Sequence, residues 1–117
     1  MQADKYPRHK FVKRVISHTV KDVLQYQPEA HYGIKSSIIG MGELREMLEV
    51  KDEEAARDVA WACCSSLMHP SVKVNYSLGY ACFPLVESYE LDENELFVTL
   101  SDGYIDMING DFSFMER

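Results

Sequence analysis

Apolar residues in the first part of the chain recur every three or four positions. Over residues 8–26 this spacing matches one face of an α-helix. The apolar positions are Val12, Ile16, Val20, Val23 and Leu24, with Phe11 and Val15 beside them. The opposite face carries Lys10, Arg14, His18 and Lys21. The pattern predicts a first helix with an apolar inner face and an outer basic ridge, defined by these last four residues.

Two shorter helical segments follow. The first runs from about Gly42 to Val50 and places leucine and methionine side chains on one face. The second begins after Asp52, which is a good N-cap residue, and Glu53 and Glu54 suit the positive end of a helix dipole. It ends before Pro70. Two short helices joined by a brief turn predict a helix-turn-helix.

The third predicted helix is apolar on almost every side. One face consists of Val59, Ala60, Cys63 and Leu67, and a second consists of Trp61, Cys64 and Met68. Such a helix is expected to be buried on two sides, either within the fold or against another protein. We expect Trp61 to be buried in the monomer, with an interface anchor as the alternative.

Beyond Pro70 the pattern alternates, as in strands. Residues 72–77 pair naturally with residues 81–88 across Leu78-Gly79-Tyr80, which predicts one β-hairpin. Residues 95–100 and 104–108 flank Ser101-Asp102-Gly103, which predicts a second. The prediction is therefore an α+β fold with three N-terminal helices followed by two β-hairpins.

The 117 residues suit one domain, which we expect to span the whole chain. Its helical part covers residues 8–68, its hairpins cover 71–109 and its tail covers 110–117. In the tail, Phe112 and Phe114 are interpreted either as a strand that closes the core or as apolar docking anchors.

Charge is distributed unevenly along the chain. The formal net charge is −7. Residues 1–30 hold six Lys or Arg against three acids, whereas residues 31–117 hold six against sixteen. No Lys or Arg occurs from Val74 to Glu116. The protein is therefore expected to be an electrostatic dipole with a basic first helix and an acidic second half.

Catalytic and metal-binding motifs are missing from the sequence. There is no H-E-x-x-H, no G-x-S-x-G and no phosphate-binding G-K-[ST] loop. Cys63 and Cys64 point to different helix faces, which disfavours a metal site with His69. A Cys–His pair formed in space stays an open alternative. We expect no enzyme activity, no metal and no cofactor.

The free thiols, the polar N-terminus and the lack of any apolar run of ~20 residues predict a cytoplasmic protein that does not enter membranes.

At fold level the chain resembles the winged-helix superfamily over residues 8–87. The stretch GELREMLEVKDEEAARDVAWACCSSLM occupies the place of the helix-turn-helix, and VKVNYSLGYACFPLV that of the wing. The resemblance rests on the order and lengths of the elements. It implies DNA binding through the third helix and the wing.

The chemistry of those elements favours a different partner. The third helix offers Arg57 against three acids, and the wing offers Lys73. Carboxylates near DNA weaken the phosphate contacts that supply most non-specific affinity. We therefore expect a small acidic protein-binding module that occupies a basic surface of another protein, as an inhibitor or nucleic-acid mimic. Compact acidic inhibitors from phages and mobile elements are similar in size and charge. The expected contact residues are Glu90, Asp92, Glu93, Glu95, Asp102 and Asp106, with Trp61, Phe112 and Phe114 as apolar anchors.

Two alternatives stay open. One is a winged-helix DNA-binding regulator or replication-initiator-like protein with contacts from Lys10, Arg14, Lys21 and Lys73. The other is a subunit whose apolar third helix forms a homodimer.

Overall fold

Among the described residues, helices predominate before Pro70 and antiparallel strands predominate after it. The computed structural model describes residues 6–25, 36–70, 72–76 and 79–109. The predicted α+β class is confirmed. The predicted count of three N-terminal helices is matched only in part: the described residues before Pro70 hold a mixed α- and π-helical segment and two α-helices, with a strand after the first segment. Another helix follows the last described strand.

The first helix, α1, spans residues 8–25. It consists of an α-helical turn Arg8–Phe11, a π-helical stretch Val12–Ile16 and an α-helix Ser17–Gln25. Its core-facing side chains are apolar, apart from Thr19, whose hydroxyl donates to the Val15 carbonyl at 3.1 Å. That hydrogen bond satisfies a buried polar group without interrupting the helix. The predicted apolar face is confirmed in part: Ile16 and Val23 are buried with Phe11 and Val15, whereas Val12, Val20 and Leu24 are half-buried.

Strand β1 (Ser36–Gly40) leads directly into α2 (Met41–Leu48), and α3 (Glu53–Leu67) follows after a short turn. Glu49 ends α2 in the left-handed conformation, with φ 56°. The Asp52 carboxylate accepts a 2.7 Å hydrogen bond from the Ala55 amide, so the predicted N-cap of α3 is confirmed.

The described strands form two separate sheets. β2 (Val72–Tyr76) and β3 (Gly79–Phe83) form the predicted first hairpin, with Val72 opposite Phe83. β4 (Val86–Leu91) and β5 (Glu95–Leu100) form another hairpin, and β1 pairs with the free side of β5. The order β1-β5-β4 makes a three-stranded antiparallel sheet.

The predicted second hairpin, over residues 95–108, is wrong. Residues 95–100 pair with β4 instead, and Asp102–Asn109 form a helix, α4. Ser101 explains the difference, because its hydroxyl oxygen accepts from the Tyr104 amide at 3.1 Å, as an N-cap does. Ser101-Asp102-Gly103 therefore starts a helix rather than turning a hairpin.

One apolar core joins α1, α2, α3, the inner face of the three-stranded sheet and Ile105 of α4. In α3, the buried residues lie on a single side. They are Ala56, Val59, Ala60, Cys63, Cys64 and Leu67.

The expected burial of Trp61 is therefore wrong. Its side chain is 63% exposed, and that of Met68 is 41% exposed. The core reaches Cys64 but not the rest of the second apolar face, because the elements that pack on α3 cover its other side.

Candidate functional site

The turn between β4 and β5 is an acidic hairpin tip. The Asp92 carboxylate accepts hydrogen bonds from the amides of Asn94 at 2.7 Å and Glu95 at 2.8 Å. Asp92 therefore shapes the turn, while Glu93 and Glu95 beside it are exposed to solvent. These two side chains are free to meet a partner.

The tip lies close to the starts of α2 and α3. The Met41 amide donates to the Asn94 carbonyl at 2.8 Å. A Cβ on Gly42 would lie 3.6 Å from Glu53 Oε1. Since Met41 and Gly42 are adjacent, the Glu53 carboxylate lies within roughly 12 Å of the Asn94 carbonyl. Tip and helix start form what we call the acidic end: Glu53, Asp92, Glu93 and Glu95.

The sequence did not predict that Glu53 belongs to this group. It lies 40 residues before Glu93, and no local pattern connects the two. The only relevant signal would have been the long-range pairing of β1 with β5, which brings Gly40 opposite Glu95.

The remaining predicted acidic residues lie elsewhere. Glu90 is exposed on the outer face of the sheet, opposite Phe97. Asp102 and Asp106 belong to α4, which begins beyond the far end of β5. Six residues of strand span about 17 Å, so these two aspartates are well separated from the hairpin tip. The predicted acidic surface is therefore divided.

A second exposed surface runs along α3. Residues spaced three and four apart share one side of a helix. This outer face consists of Glu54, Asp58, Trp61 and the half-buried Ser65 on α3, together with Met68 directly after the helix. Tyr89 of β4 borders it, since its hydroxyl lies 2.5 Å from Ser65 Oγ and donates to the Trp61 carbonyl at 3.4 Å.

A groove of about 300 Å³ lies beside the N-terminal half of this outer face. Glu54 and Asp58 line its helical wall, and residues 50–52 line the opposite side. Carboxylates, a groove and an exposed indole thus lie next to one another on α3.

The basic ridge of α1 is largely engaged in contacts within the protein. Arg14 Nη1 lies 3.0 Å from Glu49 Oε2 and donates to the Met47 carbonyl at 3.3 Å. His18 Nε2 lies 3.4 Å from Asp22 Oδ2 and 3.8 Å from Glu43 Oε1. These contacts tie α1 to α2 and to the turn that follows it.

Two lysines from the alternative nucleic-acid surface stack on tyrosines. Lys10 Nζ lies 5.5 Å from the centre of the Tyr6 ring, and Lys73 Nζ lies 4.4 Å from that of Tyr80. Lys21 is exposed on α1. The structure does not gather Lys10, Arg14, Lys21 and Lys73 into the surface formed by the hairpin tip and α3.

The buried thiols are poor nucleophiles. Burial raises the pKa of Cys63 to about 11 and that of Cys64 to about 12, so both stay protonated at neutral pH. Cys82 is an exposed free thiol on β3. Within the described ranges, no group of three His, Cys, Asp or Glu side chains is arranged to hold a metal ion.

The two predicted anchors Phe112 and Phe114 lie outside the described residues.

None of the described helices is both long and apolar enough to span a membrane. Comparison of the chain with protein-family models, curated proteins and solved structures gives no significant match.

Proposed function

We propose that this chain is a non-enzymatic protein-binding module whose acidic end docks on a basic surface of another protein. One observation carries the proposal. Carboxylates from two distant parts of the sequence, the hairpin tip and the start of α3, lie together at one end of the fold. Together these exposed carboxylates give this end of the fold a negative potential, which would attract a cationic surface.

We further propose a winged-helix arrangement. In such a domain a helix, a strand, two helices and a terminal hairpin follow one another, and the first strand pairs with the hairpin. The order α1, β1, α2, α3, β4, β5 and the sheet order β1-β5-β4 support this assignment. The wing would then be the acidic β4–β5 hairpin, and the β2–β3 hairpin would be an addition before it.

The charge of the third helix and of the proposed wing indicates the kind of partner. A winged helix meets nucleic acid through its third helix and its wing, and here both carry carboxylates where a DNA-binding protein needs Lys and Arg. A surface that has the shape of a DNA-binding winged helix but carries negative charge suits a nucleic-acid mimic. The module would occupy a basic, nucleic-acid-binding surface of its partner and act as an inhibitor or regulator in the cytoplasm.

DNA binding by the chain itself stays the alternative. It would depend on Lys10, Arg14, Lys21 and Lys73, of which Arg14 is paired with Glu49. A surface ion pair of this kind is worth at most about 1 kcal/mol, so releasing Arg14 would cost little. The carboxylates at the hairpin tip and on α3 are what disfavour this alternative, because they weaken contacts with phosphates.

The test uses a partner captured from cells of the source organism and then purified. Glu93→Gln/Glu95→Gln should slow its association about tenfold at low salt, because charges at the edge of an interface steer encounter. The control, Gln25→Lys/Asn75→Lys, changes the net charge by the same amount at exposed positions in α1 and β2. Equal on-rates for the two variants would contradict docking through the acidic end.

A further inference from the structure

The outer face of α3 has an unusual composition for a solvated surface. Trp61 is the single tryptophan of the chain and is 63% exposed. A tryptophan usually buries 150–250 Å² of surface and is enriched at interfaces. Within the described parts of the chain, Tyr89 borders this face but nothing covers the indole. A molecule that covered it would gain that burial.

The carboxylates near Trp61 form no ion pair among the described residues. Glu54 and Asp58 are four residues apart on the same side of α3, a spacing at which like charges destabilise a helix. The helix dipole compensates Glu54 in the first turn, but its effect has faded by Asp58.

The nearby cations of the chain do not pair with the Trp61 indole or with the carboxylates of Glu54 and Asp58. Arg57 precedes Trp61 by one turn and is half-buried, yet no cation–π contact with the indole occurs in the described structure. Lys51 lines the far side of the groove and forms no ion pair with Glu54 or Asp58 there. A cation supplied from outside would meet both the indole and the carboxylates.

We propose that this outer face binds an arginine side chain of the partner protein. The guanidinium stacks on the Trp61 indole and donates hydrogen bonds to the Asp58 carboxylate, one helical turn away. A planar guanidinium can do both at once, whereas a lysine ammonium is a compact, strongly hydrated charge. The inference rests on the proposed function, since it names the chemistry by which a basic partner is recognised.

The experiment follows Trp61 directly, since the chain has no other tryptophan. The full chain is titrated with the capped peptides (Arg-Gly-Ser)₃ and (Lys-Gly-Ser)₃, which carry equal charge. The arginine peptide should shift the indole N–H resonance and Trp61 fluorescence saturably, with a Kd at least threefold below that of the lysine peptide. Equal dissociation constants, or no saturable shift, would overturn the inference.

Two variants and one charge control locate the contact. Asp58→Asn should raise the Kd of the arginine peptide at least threefold. Gln25→Lys changes the net charge equally and should leave this Kd unchanged. Arg57→Gln should tighten binding, because it removes a positive charge adjacent in sequence to Asp58. Equal effects of Asp58→Asn and Gln25→Lys would show non-specific charge attraction and refute the site.

Separate experiments test the arginine site on α3 and the proposed docking of the acidic end. The peptides test the α3 face without the partner, and the Glu93→Gln/Glu95→Gln kinetics test the acidic end with it. Loss of arginine preference with intact steering would overturn this inference alone.

Discussion

Gly103 lies directly against the ring of Phe83. A Cβ at position 103 would be 2.7 Å from Phe83 Cγ and 2.9 Å from Cδ1, closer than real Cβ atoms approach. Phe83 is buried at the end of β3, so the β2–β3 hairpin and the first turn of α4 pack together there. Glycine at this position permits the close approach of the two elements.

Gly103→Ala should therefore destabilise the protein by about 1–3 kcal/mol, the usual cost of overpacking. The matched control is Gly42→Ala, also at the second position of a helix, where the added Cβ would meet Glu53 Oε1 at an ordinary 3.6 Å. It should be neutral or stabilising by up to about 1 kcal/mol. Urea denaturation measures both, and equal effects would refute the close contact.

Local pattern predicted most of the helices but not the sheet. The N-cap at Asp52 and the apolar face of α1 depend on neighbours within four residues, so the sequence displays them. β1 is stabilised by pairing with β5, about 60 residues later, and its short run Ser36–Gly40 has no alternation long enough to reveal it. Ser101 was ambiguous, because turn residues and N-cap residues are largely the same types.

The candidate site also contains features that the sequence predicted and features that only the tertiary structure shows. The sequence predicted Asp92, Glu93 and Glu95 as exposed carboxylates but placed them between two hairpins, whereas they lie at the tip of one. The contribution of Glu53 depends on Gly42 lying against it, which is a tertiary contact. Trp61 was misjudged since helical periodicity gives the angle between residues around α3 but not how far neighbouring elements extend around it.

Trp61→Ala should leave stability almost unchanged, by less than about 1 kcal/mol, because the side chain is 63% exposed. Leu44→Ala is the contrasting variant. Leu44 is fully buried in α2, so Leu44→Ala should lower the free energy of unfolding by about 2–5 kcal/mol. Thermal melting of both variants checks the assignment, and a Trp61→Ala loss comparable to that of Leu44→Ala would mean that Trp61 belongs to the core.

Stability should fall at alkaline pH because of the buried thiols. Burial raises the pKa of Cys63 from 9.0 to about 11 and that of Cys64 from 9.0 to about 12. Above pH 9 the unfolded chain releases these protons while the folded chain keeps them, so rising pH favours unfolding. Each thiol should contribute up to about 1.4 kcal/mol of loss per pH unit, until the pH reaches its folded pKa.

Urea denaturation between pH 7.5 and 10.5 measures this slope. Burial also raises the pKa of Tyr6 and Tyr104, so the Cys64→Ala variant is needed to isolate the thiol contribution. Its stability should fall less steeply than that of the wild type above pH 9. Parallel slopes would show that Cys64 ionises similarly in both states.

The unmodified chain should show no selective, sub-micromolar affinity for duplex DNA at ~150 mM salt. Its proposed wing and third helix present carboxylates to a polyanion, and only scattered cations oppose them. A mobility-shift assay checks this directly. Tight, sequence-selective binding would favour the regulator alternative over the protein-binding module.

The same assay can test the winged-helix arrangement by reversing one charge. Glu93→Lys places a cation on the proposed wing, whereas Gln25→Lys/Asn75→Lys changes the net charge equally at other exposed positions. If the hairpin tip and α3 face the same duplex, Glu93→Lys should improve DNA binding at low salt more than the control. Its log–log salt dependence should steepen by about 0.9, the value for one added phosphate contact. Equal binding by the two variants would mean that the β4–β5 tip is not placed as a wing, and it would leave the acidic end as a protein-docking surface without nucleic-acid mimicry.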